Sequence, residues 1–358
     1  MKTHLDIIAN SVRTAAGPDT VVLFAATAAY LLGAEQADAF TVKNSDRGEE
    51  QAFIANVDED YHEPLLNRLS RFLSETLDDL SPYILPKDRI LIAVITPPKL
   101  SARMQAYAQF KLADYLKQNL ALRFDADLEV MPVSEGASRY LATLSKRLYA
   151  KQYTGIILCG VDSLINIQTM NELHQDQRLL TTNAPDGFIL GEAVAALLLR
   201  LPEIDQVRIG RIRNIQHSIE SHGENEYPLA LRALFNDMMQ EADVVADKLD
   251  VVIYPMGSIR EGQLEWHLIN STLWPMRASE QQRVAMMLGE IEVAKAERPK
   301  EPEMLYTSAS LGHVGAASLP VNLAMACARY EFEYPKVKRI VVCESSEDLH
   351  RGVVLLMP

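Results

Sequence analysis

The chain has 358 residues, 48% of them hydrophobic and 23% charged, with 48 acidic against 35 basic side chains and a formal net charge of −13. That length and composition suit a full hydrophobic core, in one large domain or two fused ones. The acid excess and the lack of any basic stripe or basic-aromatic interleaving argue against nucleic acid as a partner. The longest apolar run, VVLFAATAAYLLGA (21–34), is too short to span a bilayer and has neither the position nor the basic flank of a signal peptide. It reads as a buried helix, and no membrane span is expected.

In chain order, HLDIIANSV (4–12) reads as a strand, followed by helices over 20–34 and 63–80. RILIAVITP (89–97) is the next strand, then a helix over 101–119, the strand DLEVMPV (127–133) and a helix over 136–150. GIILCGV (155–161) and AVAALLLR (193–200) follow as strands, then a helix over 228–247, the strand DVVIYPM (250–256) and a helix over 279–295. The chain closes with the strand EMLYTSA (303–309), a helix over 314–330 and the strand RIVVCES (339–345). Short apolar, β-branched runs of this kind are strands buried on both faces, and their alternation with helices makes the class α/β with layered packing. The charged run AKAERPKEP (294–302) reads as a solvated helix end and loop. Met238, Met239, Met286 and Met287 lie on helical stretches and read as core filler.

Three cysteines, Cys159, Cys327 and Cys343, all lie in apolar contexts without CxxC spacing or a histidine at ligand distance. They read as core thiols of a reducing cytoplasm, and neither a metal nor a cofactor is expected. One internal correspondence stands out. Residues 128–163 read as strand, Ser/Gly turn, helix and strand, and residues 303–345 repeat that order. Each turn delivers polar residues at a helix N-terminus, where unpaired N–H groups and the positive dipole end favour negative charge. Two such turns facing each other across a pseudo-twofold would form one site.

GVDSL (160–164), PDGFILGEAVAALLL (185–199) and LGHVGAAS (311–318) together resemble the GVDS, DGFxxGEGAAALVL and GHxxGAAG motifs of β-ketoacyl synthases of the thiolase fold. LDIIANSVRTAAG (5–17) is similar to that family's opening strand and turn, so the likeness covers nearly the whole chain. The resemblance implies a layered αβαβα fold from two similar halves, 1–200 and 201–358, in one compact unit. Family members attack a thioester with a cysteine at a helix N-terminus, decarboxylate a malonyl unit with two histidines and orient the site with a lysine. That chemistry needs a nucleophile of lowered pKa and donors aimed at the developing enolate and oxyanion.

Aligned on the resemblance, the nucleophile position falls at Ser134, within a window of 134–136, and no cysteine precedes Leu158. Met256 stands at the first histidine and Ser258 at the threonine of the HGTxT segment, and Ser308 stands at the lysine. A thioether cannot replace an N–H donor. His313 is the one catalytic-type residue in its expected place, and CESSEDLH (343–350) replaces the C-terminal glycine-phenylalanine-glycine turn. Ser134 also reads as a helix cap, His313 as a buried structural histidine, and Asp186 and Glu192 as structural carboxylates.

An intact scaffold with a lost site resembles the chain length factor, which pairs with an active ketosynthase and shapes its acyl tunnel in polyketide or fatty-acid-type biosynthesis. The short TPPKLS (96–101) is similar to the truncated ketosynthase-like partner of bacterial aryl polyene synthases. The resemblance implies a heterodimer or larger assembly through the strand at 126–132 and the following helix, with acyl carrier protein docking mainly on the partner. Met104, Tyr107 and Phe110 share one face of a predicted helix and are candidates for the tunnel end or for ordinary core. Two other readings stay open. One is a stand-alone decarboxylase or serine acyltransferase using Ser134 or Glu135 with His313, and the other is a free-standing acyl- or carrier-binding module.

Overall fold

The computed structural model describes residues 4–44, 48–59, 63–97, 114–118, 120, 122–133, 136–202, 211–220, 227–255, 260–274, 280–290, 300–332, 335–345 and 350–357. Twelve strands are β1 (His4–Thr14), β2 (Glu35–Asn44), β3 (Gly48–Ala55), β4 (Ile90–Thr96), β5 (Ala126–Pro132), β6 (Gly155–Ser163), β7 (Leu190–Arg200), β8 (Arg211–Glu220), β9 (Val251–Tyr254), β10 (Glu303–Tyr306), β11 (Ile340–Ser345) and β12 (His350–Met357). The helices are α1 (Thr20–Ala28), α2 (Leu65–Leu80), α3 (Ala137–Tyr149), α4 (Ile167–Gln175), α5 (Tyr227–Ala242), α6 (Arg260–Leu273), α7 (Glu280–Met287), the single turn α8 (Ser308–Leu311) and α9 (Ser318–Glu331).

The main sheet runs β10-β9-β11-β12-β8-β1-β7-β6-β4-β5, and it contains the same five-strand pattern twice. In the first half β4 lies parallel to β5 and β6, whereas β7 is antiparallel to both β6 and β1. In the second half β9 lies parallel to β10 and β11, whereas β12 is antiparallel to both β11 and β8. The halves join where β1 meets β8 in a short antiparallel ladder, His4 to Arg213 through Asp6 to Arg211. A repeated order of strands with repeated directions is the signature of a duplicated fold.

The layers follow from which faces are apolar. α9 packs on β6, β7 and β1 of the first half and on β9 and β11 of the second, while α3 packs on β6, β8 and β12. One core cluster therefore draws on both halves, including Leu158, Leu197, Val321, Leu323, Val342 and Val354. α2 covers the outer face of the first half, burying Leu69, Phe72, Leu73, Leu77 and Leu80 at the spacing of one helical face. α5 packs on β8 and β12 and against α6 over the outer face of the second. Helix, sheet, paired central helices, sheet and helix make the αβαβα order.

All eight sequence-read strands form, and β4 and β6 are buried at every position, as continuous apolar runs require. β2, β3, β8, β12, α4, α6 and α8 were not read from the sequence, α8 beginning within the run 303–309 read as a strand, and the expected helix over 101–119 lies mostly outside the described residues. The run 21–34 differs from expectation. Asp19 caps α1 by accepting a hydrogen bond from the Val21 N–H at 2.7 Å, but the helix stops after Ala28 and Tyr30 takes φ 53°. Leu23 and Phe24 are buried, whereas Tyr30, Leu31 and Leu32 are exposed, so only one face of this run belongs to the core. The methionine reading holds for Met238 and Met239 and fails at Met287, which is 88% exposed at the end of α7. Among the described residues no helix is long and apolar enough to cross a membrane.

Candidate functional site

The three sequence motifs meet around the start of α9. Gly160 lies beneath the turn that opens α9, where a Cβ would run into the Ala316 carbonyl and Pro320. Two residues further on, Asp162 accepts a hydrogen bond from the Ala316 N–H at 2.9 Å. Gly315 turns with φ 48° to bring that N–H onto the carboxylate, and a side chain there would strike Asp162. Glycine is therefore required at both positions by close approach.

The same device recurs in the other half. Gly136 has φ 84° and opens α3, its N–H bonded to the Val133 carbonyl at 2.8 Å. The Ala137 and Ser138 N–H groups, at the first turn of α3, donate to the two carboxylate oxygens of Glu344 at 2.6 and 2.8 Å. Glu344 sits at the end of β11 as Asp162 sits at the end of β6, and each carboxylate caps the central helix of the opposite half. Gly352 on β12 leaves room for the Ser138 hydroxyl and the Glu344 carboxylate, and a Cβ there would collide with both. The head of α3 thus holds a buried anion of the protein's own, in charge-assisted bonds at the positive end of the helix dipole.

Buried ion pairs brace both strand ends. Arg68, on the apolar face of α2, pairs with Glu192 on β7 at 2.6 Å and donates to the Ser163 hydroxyl at 3.2 Å, with both charged side chains almost fully buried. In the second half Arg351 on β12 pairs with Glu265 on α6 at 3.0 Å, and the Tyr254 hydroxyl donates to Glu265 at 2.6 Å. Burial beside that carboxylate holds the Tyr254 hydroxyl well above its ordinary pKa, so it remains a donor. Ser163 faces Glu192 across β6 and β7, and Ser345 faces Arg351 across β11 and β12, so equivalent registers carry opposite charges.

His313 is buried at the end of the α8 turn. Its backbone N–H donates to the Ile189 carbonyl at 2.9 Å and its carbonyl accepts from Gly191 at 3.1 Å, tying it to the start of β7. Its ring stacks on Phe188 with centroids 4.4 Å apart, and the Arg178 guanidinium lies 4.8 Å from the centroid of the Phe188 ring. Ser308 is buried at the first position of α8, five residues from His313, and its carbonyl accepts from Gly312. Ser134, Glu135, Met256, Ser258, Met104, Tyr107 and Phe110 lie outside the described residues. Asp186 is exposed whereas Glu192 is fully buried on Arg68, settings that do not suit a working pair of carboxylates.

Sequence reading passed over Glu344, Gly352, Arg68 and the Glu265–Arg351 pair. A signal for the first was present. Aligning the two repeat units by their ends sets CGVDS (159–163) against VVCES (341–345), so Glu344 falls on Asp162. Arg68 lies three to four residues from Leu65 and Phe72 on an apolar stripe, where a cation needs a buried anion.

Solved structures carry the same fold over the full length of this chain. The ishigamide ketosynthase/chain length factor superposes with a TM-score of 0.67 at 14% identity, covering 99% of each chain. The ketosynthase from module 6 of the bacillaene synthase of Bacillus subtilis 168 gives 0.69 at 11% identity, covering 99% of this chain and 72% of that one. A type II polyketide synthase acyl-carrier protein in complex with its ketosynthase bound to the hexaketide gives 0.64 at 11% identity, covering both chains in full. No protein-family profile and no curated protein matches the sequence. The fold is the thiolase-like fold of ketosynthases and chain length factors.

Proposed function

We propose that this chain is a non-catalytic ketosynthase homologue of the chain-length-factor kind. It pairs with an active β-ketoacyl synthase and shapes that partner's acyl tunnel in polyketide, polyene or fatty-acid-type biosynthesis, in the cytoplasm. One observation carries the reading. The head of α3, where the resemblance sets a nucleophile and its oxyanion donors, has its Ala137 and Ser138 N–H groups bound to the buried Glu344 carboxylate. A substrate oxyanion would have to displace a fixed internal anion to use them. Absence of a cysteine before Leu158, and methionine and serine where the resemblance sets a histidine and a lysine, point the same way.

In this reading residues 1–200 and 201–358 are two halves of one unit, and β5 with α3 forms the surface for the partner. Among the described strands β5 is one of the two at the ends of the main sheet, a position natural proteins pair or cover. Acyl carrier protein docks mainly on the partner, and no cofactor is involved. The aryl polyene systems are the pathway class that the short 96–101 segment favours. Met104, Tyr107 and Phe110 are the tunnel-end candidates, and trimming them to alanine in the reconstituted complex lengthens the product if that role holds.

The purified chain is expected to take up no acyl group from a coenzyme A or carrier thioester and to release no carbon dioxide from a malonyl thioester. Intact-mass measurement and a carbon dioxide assay test this. A covalent adduct that disappears in Ser134→Ala overturns the reading in favour of a serine acyltransferase.

A further inference from the structure

α3 and α9 hold equivalent places in the central layer, yet their surroundings differ. α9 is buried from Leu319 to Arg329, and α1 packs along it. α3 leaves Arg139, Thr143 and Lys146 exposed at helical spacing on one face, with exposed Lys151 just beyond its end. Among the described residues Arg139, Lys146 and Lys151 make no ion pair, whereas Arg147 on the neighbouring face is taken up by Glu129 of β5 at 2.5 Å. Asp127 of β5 likewise accepts a hydrogen bond from the Tyr153 hydroxyl at 3.1 Å. A chain of net charge −13 therefore presents three uncompensated cations beside the terminal strand of its sheet.

A strand added beside β5 continues the sheet, and the helix packed on that strand enters the same layer as α3. The face of Arg139, Lys146 and Lys151 then meets the equivalent helix of the incoming chain. A second copy of this protein would bring the same three cations against themselves. We propose that this face selects the partner by charge: it accepts a ketosynthase-fold chain whose equivalent helix face is acidic, and it disfavours self-pairing. The proposal rests on the partner-subunit reading and adds the chemistry of the partner's surface. Like charges opposed across an interface act against association, and opposite charges speed and favour it, most strongly at low salt.

The test uses a charge-reversed copy of the chain as the acidic probe. Arg139→Glu, Lys146→Glu and Lys151→Glu are combined, all at exposed positions, and circular dichroism and thermal melting establish that the variant folds. Wild type, variant and their equimolar mixture are compared by sedimentation velocity at low and high salt. Asp127→Cys, at an exposed position on β5, reports edge contact through a short thiol cross-linker, since the native cysteines are buried. The mixture is expected to associate at least about tenfold more tightly than either chain alone, to cross-link at that position, and to lose the advantage at high salt. Equal cross-linked dimers in all three samples overturn charge selection and leave β5 as the interface. A mixture no tighter than wild type, or one that associates without the cross-link, overturns the proposal. Acylation of the chain in the thioester assay instead overturns the partner-subunit reading, independently of the association data.

Discussion

Glu344 bonds to the first two N–H groups of α3 inside the core, so its removal strands donors that water cannot reach. Each stranded donor costs about 1–3 kcal/mol. Glu344→Ala is expected to lower the urea midpoint accordingly, with an unchanged denaturant slope, and Glu344→Gln to fall between it and wild type because one acceptor survives. A midpoint for Glu344→Ala within error of wild type would show that the cap contributes nothing. Arg68 gives a companion case. Arg68→Ala leaves Glu192 charged, buried and without its guanidinium, a loss of about 3–5 kcal/mol. Arg68→Met with Glu192→Leu removes both charges together and is expected to cost much less. Equal destabilisation of the single and double variants would place the effect in packing and not in the stranded charge.

Each cysteine lies on a buried element, Cys159 on β6, Cys327 on α9 and Cys343 on β11, and burial pushes all three thiols upward in pKa. A raised thiol pKa means less thiolate at any pH below it, so none should alkylate in the native protein at mildly alkaline pH, and all three should in urea. Rapid native labelling of any one would be at odds with this packing. These buried elements are also the ones the sequence disclosed, because β4, β6, β7 and β11 each contain an unbroken apolar run, ILIAVI, IILCGV, AVAALLL and IVVC. β2 and β3 escaped notice since EQADAFTVKN and GEEQAFIA bury only part of their length, through residues such as Ala37, Phe40, Val42, Ala52 and Ile54. β8, RIRNIQHSIE, has its three isoleucines separated by charged, amide and other polar residues and so has no apolar run. The end of α1 was hidden for another reason: Tyr30, and not a glycine or proline, takes the left-handed turn. The motifs GVDS and GHVGAAS located one half of the site. Its mirror, Glu344 with Gly136 and Gly352, became visible only when the second half was laid over the first.

The two halves are tied at three kinds of place: the β1–β8 ladder, the shared core around α3 and α9, and the crossed caps in which Asp162 holds α9 and Glu344 holds α3. Neither half can keep its central helix capped without the other, so unfolding should be cooperative across the whole chain. Trp266 and Trp274, both in the second half with ring centroids 6.0 Å apart, are the only tryptophans and so report that half alone. Slow amide hydrogen exchange in β4 and β6 reports the first half. If the chain is one unit, tryptophan fluorescence and exchange through β4 and β6 should give the same unfolding free energy and the same urea midpoint. Glu344→Ala should lower both together, although the residue lies in the second half and the stranded N–H groups in the first. Two separated midpoints, or a loss confined to one reporter, would mean that the halves fold as independent domains and that the crossed caps only decorate their contact.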